Sequence, residues 1–169
     1  FQKECTAEER QTEEQLKKEL PNIKWQSYYN QFLFHPEDIN FEIDKTPQVF
    51  TVFRKKLEKY VAIRQEETVG YLKDNIRIDH NTGVYKKTRN GLVGVDYSSK
   101  FSPWLANGSL SPRHIYWKVK AFESEHFKNQ STYWLIFELI WRDYFKYVSM
   151  KHGNQIFKLE GILKKEYDW

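Results

Sequence analysis

Apolar residues along this chain recur mostly at helical spacing, in blocks separated by polar, turn-forming stretches. "TAEERQTEEQLKKELPN" (6–22) is charged almost throughout, keeps Leu16 and Leu20 as its regular apolar positions, and is ended by Pro21-Asn22. It predicts a loosely packed helix. "IKWQSYYNQFLF" (23–34) is rich in aromatics and predicts a strand with a following turn. Residues 35–48, with two prolines and several acids, read as an irregular connection. Over 48–61, Val49, Val52, Phe53, Leu57, Tyr60 and Val61 fall at helical spacing and predict an amphipathic helix. A short helix is expected in "EETVGYLKDNI".

Residues 80–100 carry Gly83, Asn90-Gly91 and Gly94 and predict a long loop. Ser102-Pro103 then suits a helix start, Gly108 a helix end, and Ser111-Pro112 the next start. Asn129 to Thr132 offers caps for a helix over 131–149. The whole pattern is helix after helix joined by polar loops, with at most a little strand near the start.

The helix at 131–149 breaks the amphipathic rule. "STYWLIFELIWRDYFKY" is apolar on nearly every side, so it should be buried, yet it carries Glu138 and Arg142. Four apart, these two share a face, with Trp134, Trp141 and Phe145 beside them. Two readings fit: an internal ion pair that tethers helices, or a pocket wall joining charge to aromatic platforms. The loop adds Ser98, Ser99 and Ser102 around Lys100, immediately before a helix. Such hydroxyls and an ammonium suit an anion such as phosphate, although serines before a helix are usually only caps.

Composition narrows the field little. The 169 residues suffice for one domain with a sizeable core. With 27 Lys and Arg against 23 Asp and Glu, the formal charge of +4 permits an anionic partner without demanding one. Cys5, the single cysteine, excludes an intrachain disulfide and fits a reducing compartment. The five histidines are scattered and point to no metal site, and the apolar run at 133–141 is too short to span a membrane.

Two stretches together carry a resemblance. "YKKTRNGLVGVDYSSKFSPWLANGSLSPR" and "NQSTYWLIFELIWRDYFKYVSMKHG" resemble the photolyase/cryptochrome family, most closely its DASH cryptochrome branch. "WQSYYNQFLFHPEDI" with "TPQVFTVFRKKLE" resembles the end of that family's antenna domain and the start of its connector. The resemblance implies a mainly α fold: the helical N-terminal half of a photolyase-type FAD-binding domain, with a short α/β remnant in front. The expected divisions are 1–40 (antenna-domain end), 41–80 (connector, shorter than usual) and 81–169 (partial FAD domain). It also implies site residues. Tyr85, Ser98, Ser99, Lys100, Phe101 and Ser102 would hold the phosphate and ribityl part of FAD, and Arg142 would reach its diphosphate. Glu138 would hydrogen-bond a flipped pyrimidine dimer, Trp141 would pack against it, and Arg89 would contact the DNA backbone.

The complete protein would be an FAD-dependent blue-light photoreceptor or a photolyase acting on single-stranded DNA. The alternative is a truncated, photochemically inactive relative that serves as a structural subunit, its open half-domain covered by another protein chain. Chloroplast, mitochondrion and nucleus all stay open as compartments.

Overall fold

The computed structural model describes residues 2–66, 78–91, 94 and 97–166. Among these described residues six α-helices follow one another: α1 (Ala7–Glu19), α2 (Phe50–Tyr60), α3 (Tyr85–Thr88), α4 (Ser102–Ala106), α5 (Pro112–Glu125) and α6 (Gln130–His152). Short 3-10 turns lie at Ile43–Lys45, His80–Val84 and Gly153–Phe157. The mainly α expectation holds. The helix expected in "EETVGYLKDNI" lies, apart from Glu66, outside the described residues.

The 23-residue α6 is the axis of the fold and packs against α2, α3, α5 and all three 3-10 turns. Its start is fixed by a reciprocal cap. The Asn129 side chain accepts from the N–H groups of Ser131 (2.8 Å) and Thr132 (3.1 Å), and Thr132 Oγ1 accepts from Asn129 N–H (3.2 Å). Asn129→Ala should therefore lower stability by about 1 kcal/mol in chemical denaturation, with the denaturant slope unchanged. Ile115, Val119, Leu135, Ile136, Leu139, Ile140 and Tyr147 around this axis are buried, and Phe53 and Leu57 join them from α2.

Apart from α3 and the His80–Val84 turn, which stand where 80–100 was expected to be a long loop, two local expectations change. Residues 23–34 form no strand; the β contact there is an isolated parallel bridge between Gln2 and Tyr28. The reason is where the backbone groups go. Leu33 and Phe34 donate their N–H groups to the carboxylate of Asp143 at 3.0 and 2.8 Å, and Tyr147 Oη donates to Phe34 O at 2.9 Å. Arg142 donates to Gln31 O. Side chains of α6 thus take the place of a neighbouring strand. Phe32, Leu33 and Phe34 can then all be buried in succession, which a half-buried strand's alternation forbids. The second change concerns α2. Phe50, Phe53 and Leu57 face the core, while Val49, Val52 and Tyr60 are exposed. The buried stripe is shifted by a residue because Phe50, not Val49, meets the aromatic side of α6.

Helix α1 buries no residue, as its charge pattern predicts, and is tied by Ala7 N–H to Asn154 Oδ1 at 2.9 Å. Ser111 caps α5 by accepting from Arg113 N–H. Gly108 follows α4 with φ +77, a left-handed conformation that glycine adopts without penalty.

Candidate phosphate cradle and the α6 wall

The turn-rich segment between α2 and α4 builds a small cavity. Asp79 caps the His80–Val84 turn by accepting from Asn81 N–H at 2.9 Å, and the chain runs directly into α3. Lys86 N–H then donates to Ser131 Oγ at 3.2 Å, and the Lys86 ammonium to Gln130 Oε1 at 2.8 Å. These bonds pin α3 to the first turn of α6. Opposite lies Ser98-Ser99-Lys100, in which Lys100 N–H donates to Ser98 Oγ at 3.1 Å and Lys100 holds φ +58. A non-glycine residue in that region is uncommon and stores strain, a feature that clusters at ligand sites.

Between them lies a cavity of about 200 Å³ lined by Asp79, Asn81, Thr82, Tyr85, Ser98, Ser99, Lys100, Phe101 and Leu135. It brings together five of the six loop residues singled out in the sequence. Ser102 does not line it; that residue opens α4. Asp79, Asn81, Thr82 and Leu135 were not anticipated. The first three sit in a polar turn without a motif, and Leu135 looks like any core position.

Tyr85 links the cavity to the α6 wall. Burial pushes its phenol above the ordinary value and the negative charge of Glu138 adds to the rise, while Arg89 and a hydrogen bond with the Ser99 side chain oppose it. Glu138 does not itself line the cavity; it bears on it through the charge felt by Tyr85. Its ion-pair partner is Arg89 (Nη1–Oε1 2.6 Å), with both side chains about a third exposed (30% and 31%). The shared face of Glu138 and Arg142 is real helical geometry, but the two do not serve one pocket. Arg142 directs its guanidinium to the carbonyls of Gln31 and Leu105 (3.1 Å for the latter) and does not line the cavity. Burial lowers its pKa, with Asp143 opposing.

Trp141 is half-buried and stacked on Phe50, centroids 3.5 Å apart and planes 9° from parallel, with Phe145 at 5.6 Å. Part of that platform is already occupied by the chain itself. Trp134 carries two cations over its ring, Lys86 Nζ at 4.8 Å and the Arg89 guanidinium carbon at 5.6 Å. Its indole N–H is buried without an acceptor. The fully buried charge-bearing residue of α6 is Asp143, whose carboxyl burial raises to about 7 against the opposing N–H groups of Phe34 and Leu33.

The mainly helical described residues match the helical part of a photolyase-type fold. Comparison with known proteins agrees. The chain is similar to DASH cryptochromes and photolyases. The family model of DNA photolyase matches residues 1–70. Over its full length the chain is similar to the cryptochrome DASH of Synechocystis sp., 39% identical and covering 44% of that protein. It is 54% identical over 86 residues, 51% of this chain and 16% of the relative, to the chloroplastic/mitochondrial cryptochrome DASH of Ostreococcus tauri. The crystal structure of the Synechocystis sp. PCC6803 cryptochrome superposes with a TM-score of 0.88 at 38% identity, over all of this chain and 44% of that one. The chain thus spans less than half the length of these relatives. The alignment to the Synechocystis protein runs over 215 residues against 169 in this chain, 46 more.

Proposed function

We propose that this chain supplies the phosphate-facing and substrate-facing half of a photolyase-type flavin site. Within a complete protein it would take part in blue-light photoreception or in light-driven repair of pyrimidine dimers in single-stranded DNA. The carrying observation is the cavity lined by Tyr85, Ser98, Ser99, Lys100 and Phe101 beside the wall that bears Glu138. Hydroxyls and an ammonium match a phosphorylated ribityl chain. At about 200 Å³ the cavity falls below the ~300–1,000 Å³ of whole-cofactor sites, so these residues fit that part of FAD and not all of it. FAD, when bound, supplies light absorption and electron transfer.

The chain's own residues do the rest in this reading. Ser98, Ser99 and Lys100 hold the anionic part. Glu138 accepts a hydrogen bond from a base edge, and the half-exposed remainder of Trp141 packs against the base. Arg89 meets a backbone phosphate. Arg142, engaged with two backbone carbonyls, orients α6 rather than the diphosphate. The connector around 62–80 is proposed to be shorter than in these relatives, and chloroplast or mitochondrion, the organelles named for the Ostreococcus relative, is the proposed compartment.

A chimera tests the reading. This chain replaces the matching 44% of the Synechocystis protein, and the purified product is examined for bound flavin by its visible spectrum. Flavin retention is expected, with Lys100→Ala weakening it by on the order of tenfold, the value of one charge-assisted contact. A folded chimera devoid of flavin would defeat the proposal.

A second reading has its own observation. Trp104 (56% exposed), Phe145 (60%), Phe157, Leu159 and Leu163 present large apolar side chains to solvent. Such a surface calls for cover by further polypeptide. That cover would be the rest of a longer chain or, if the photochemistry has been lost, a separate protein of a larger assembly.

A further inference from the structure

The Arg89–Glu138 pair has a form that a static tether does not need. Arg89 follows α3 as its C-terminal cap, and α3 is anchored to the start of α6 through Lys86 and Ser131. Its guanidinium is held over the Trp134 ring while one nitrogen reaches Glu138 at 2.6 Å. Lys86 stands over the same ring, so Trp134 organises two cations beside one carboxylate. With each side chain about a third exposed, water screens the pair and makes it easy to exchange. An exposed carboxylate beside an anion-binding surface would repel a polyanion, and Arg89 neutralises it while no ligand is present.

We propose that the Arg89–Glu138 ion pair is a lock on the α6 wall that a phosphodiester group of a single-stranded nucleic acid opens. The phosphate draws the Arg89 guanidinium away from Glu138 and leaves the carboxylate free to accept a hydrogen bond from a base edge. The proposal rests on the nucleic-acid reading above. Guanidinium suits the exchange because its planar fork fits phosphate as well as carboxylate. An ionised carboxylate only accepts, so while Arg89 occupies one oxygen its capacity for a base is reduced. The aromatic ring under Arg89 keeps the cation near either partner, so the switch needs a side-chain reorientation and no movement of the helix.

A four-protein cycle decides the matter: the unmodified chain, Glu138→Gln, Arg89→Gln and the double variant. Each is titrated into a fluorescein-labelled oligothymidine of about ten nucleotides, with anisotropy as the readout and far-ultraviolet circular dichroism confirming the helices. Glu138→Gln should tighten binding about two- to fivefold while Arg89 is present, the scale of one exposed ion pair. In the Arg89→Gln background no ion pair is left to open and only the plain repulsion of the carboxylate is relieved, so the tightening should be smaller. Equal tightening in both backgrounds would reveal plain charge repulsion and overturn the lock, as would no tightening in either. Absence of binding by both the unmodified chain and Glu138→Gln would remove the nucleic-acid reading itself. Binding with a flat cycle removes only the lock. Glu138→Ala repeats the cycle with a different side chain, should Gln fail to fold.

Discussion

Asp143→Ala is expected to lower the stability of this chain by about 3–5 kcal/mol in urea or guanidinium unfolding, the largest effect of any single substitution proposed for it. Asp143 is fully buried and accepts the N–H groups of Leu33 and Phe34. Truncation leaves two buried donors without an acceptor, each costing about 1–3 kcal/mol. It also strands Arg142 and Lys146, two partly buried cations whose charge Asp143 offsets. Asn keeps one acceptor oxygen and loses the charge, so Asp143→Asn should cost less, about 1–2 kcal/mol at neutral pH.

The pH profile provides an independent check. The folded carboxyl titrates at about 7, against an ordinary value of 3.8, so the folded chain binds the proton more tightly than the unfolded one. The contribution of this group to stability should then fall as pH rises from about 4 to about 7 and stay level above that. Asp143→Asn should remove that slope. A profile unchanged by the substitution would show that Asp143 does not titrate in this window.

A polypeptide of this sequence, purified by itself, should retain no stoichiometric FAD. The reason lies in the size and chemistry of the cavity. About 200 Å³ lined by two serines, a lysine and a tyrosine is proposed to take only the phosphorylated part of the cofactor. Binding must also offset the lost freedom of a flexible ligand, about 0.5–1.5 kcal/mol for each immobilised flexible group on top of a larger cost of association. One end of the cofactor cannot supply that. Visible absorption after incubation with FAD and gel filtration is the measurement. A flavin band at one equivalent would mean that the described cavity is not the site, or that it opens to admit the whole cofactor.

The amphipathic spacing of α2, the caps Ser111 and Asn129 and the all-round apolar face of α6 were legible because each is local: a period, a hydroxyl, a run of rings. The loop residues were singled out through a resemblance of motifs, and the fold places Tyr85 and Ser98 to Phe101 around one cavity. The partners of the charges were not. Glu138 and Arg142 lie one turn apart on the same helix, and spacing alone permits them to pair. The structure sends Glu138 to Arg89 of α3 and Arg142 to carbonyls at Gln31 and Leu105, because other elements arrive at each position.

Asp143 was overlooked for the same reason. An aspartate beside an arginine reads as surface charge until a distant loop delivers two N–H groups to it. The aromatic segment before residue 35 has strand composition, yet a strand needs a neighbour to complete its hydrogen bonds. Here α6 side chains complete them first. Local pattern therefore determined where the longer helices α1, α2, α5 and α6 lie and where they start, but not the short α3 inside the segment read as a loop. Tertiary packing alone decided which groups satisfy one another, since hydrogen-bond and ion-pair partners are chosen by distance in space and not by distance along the chain.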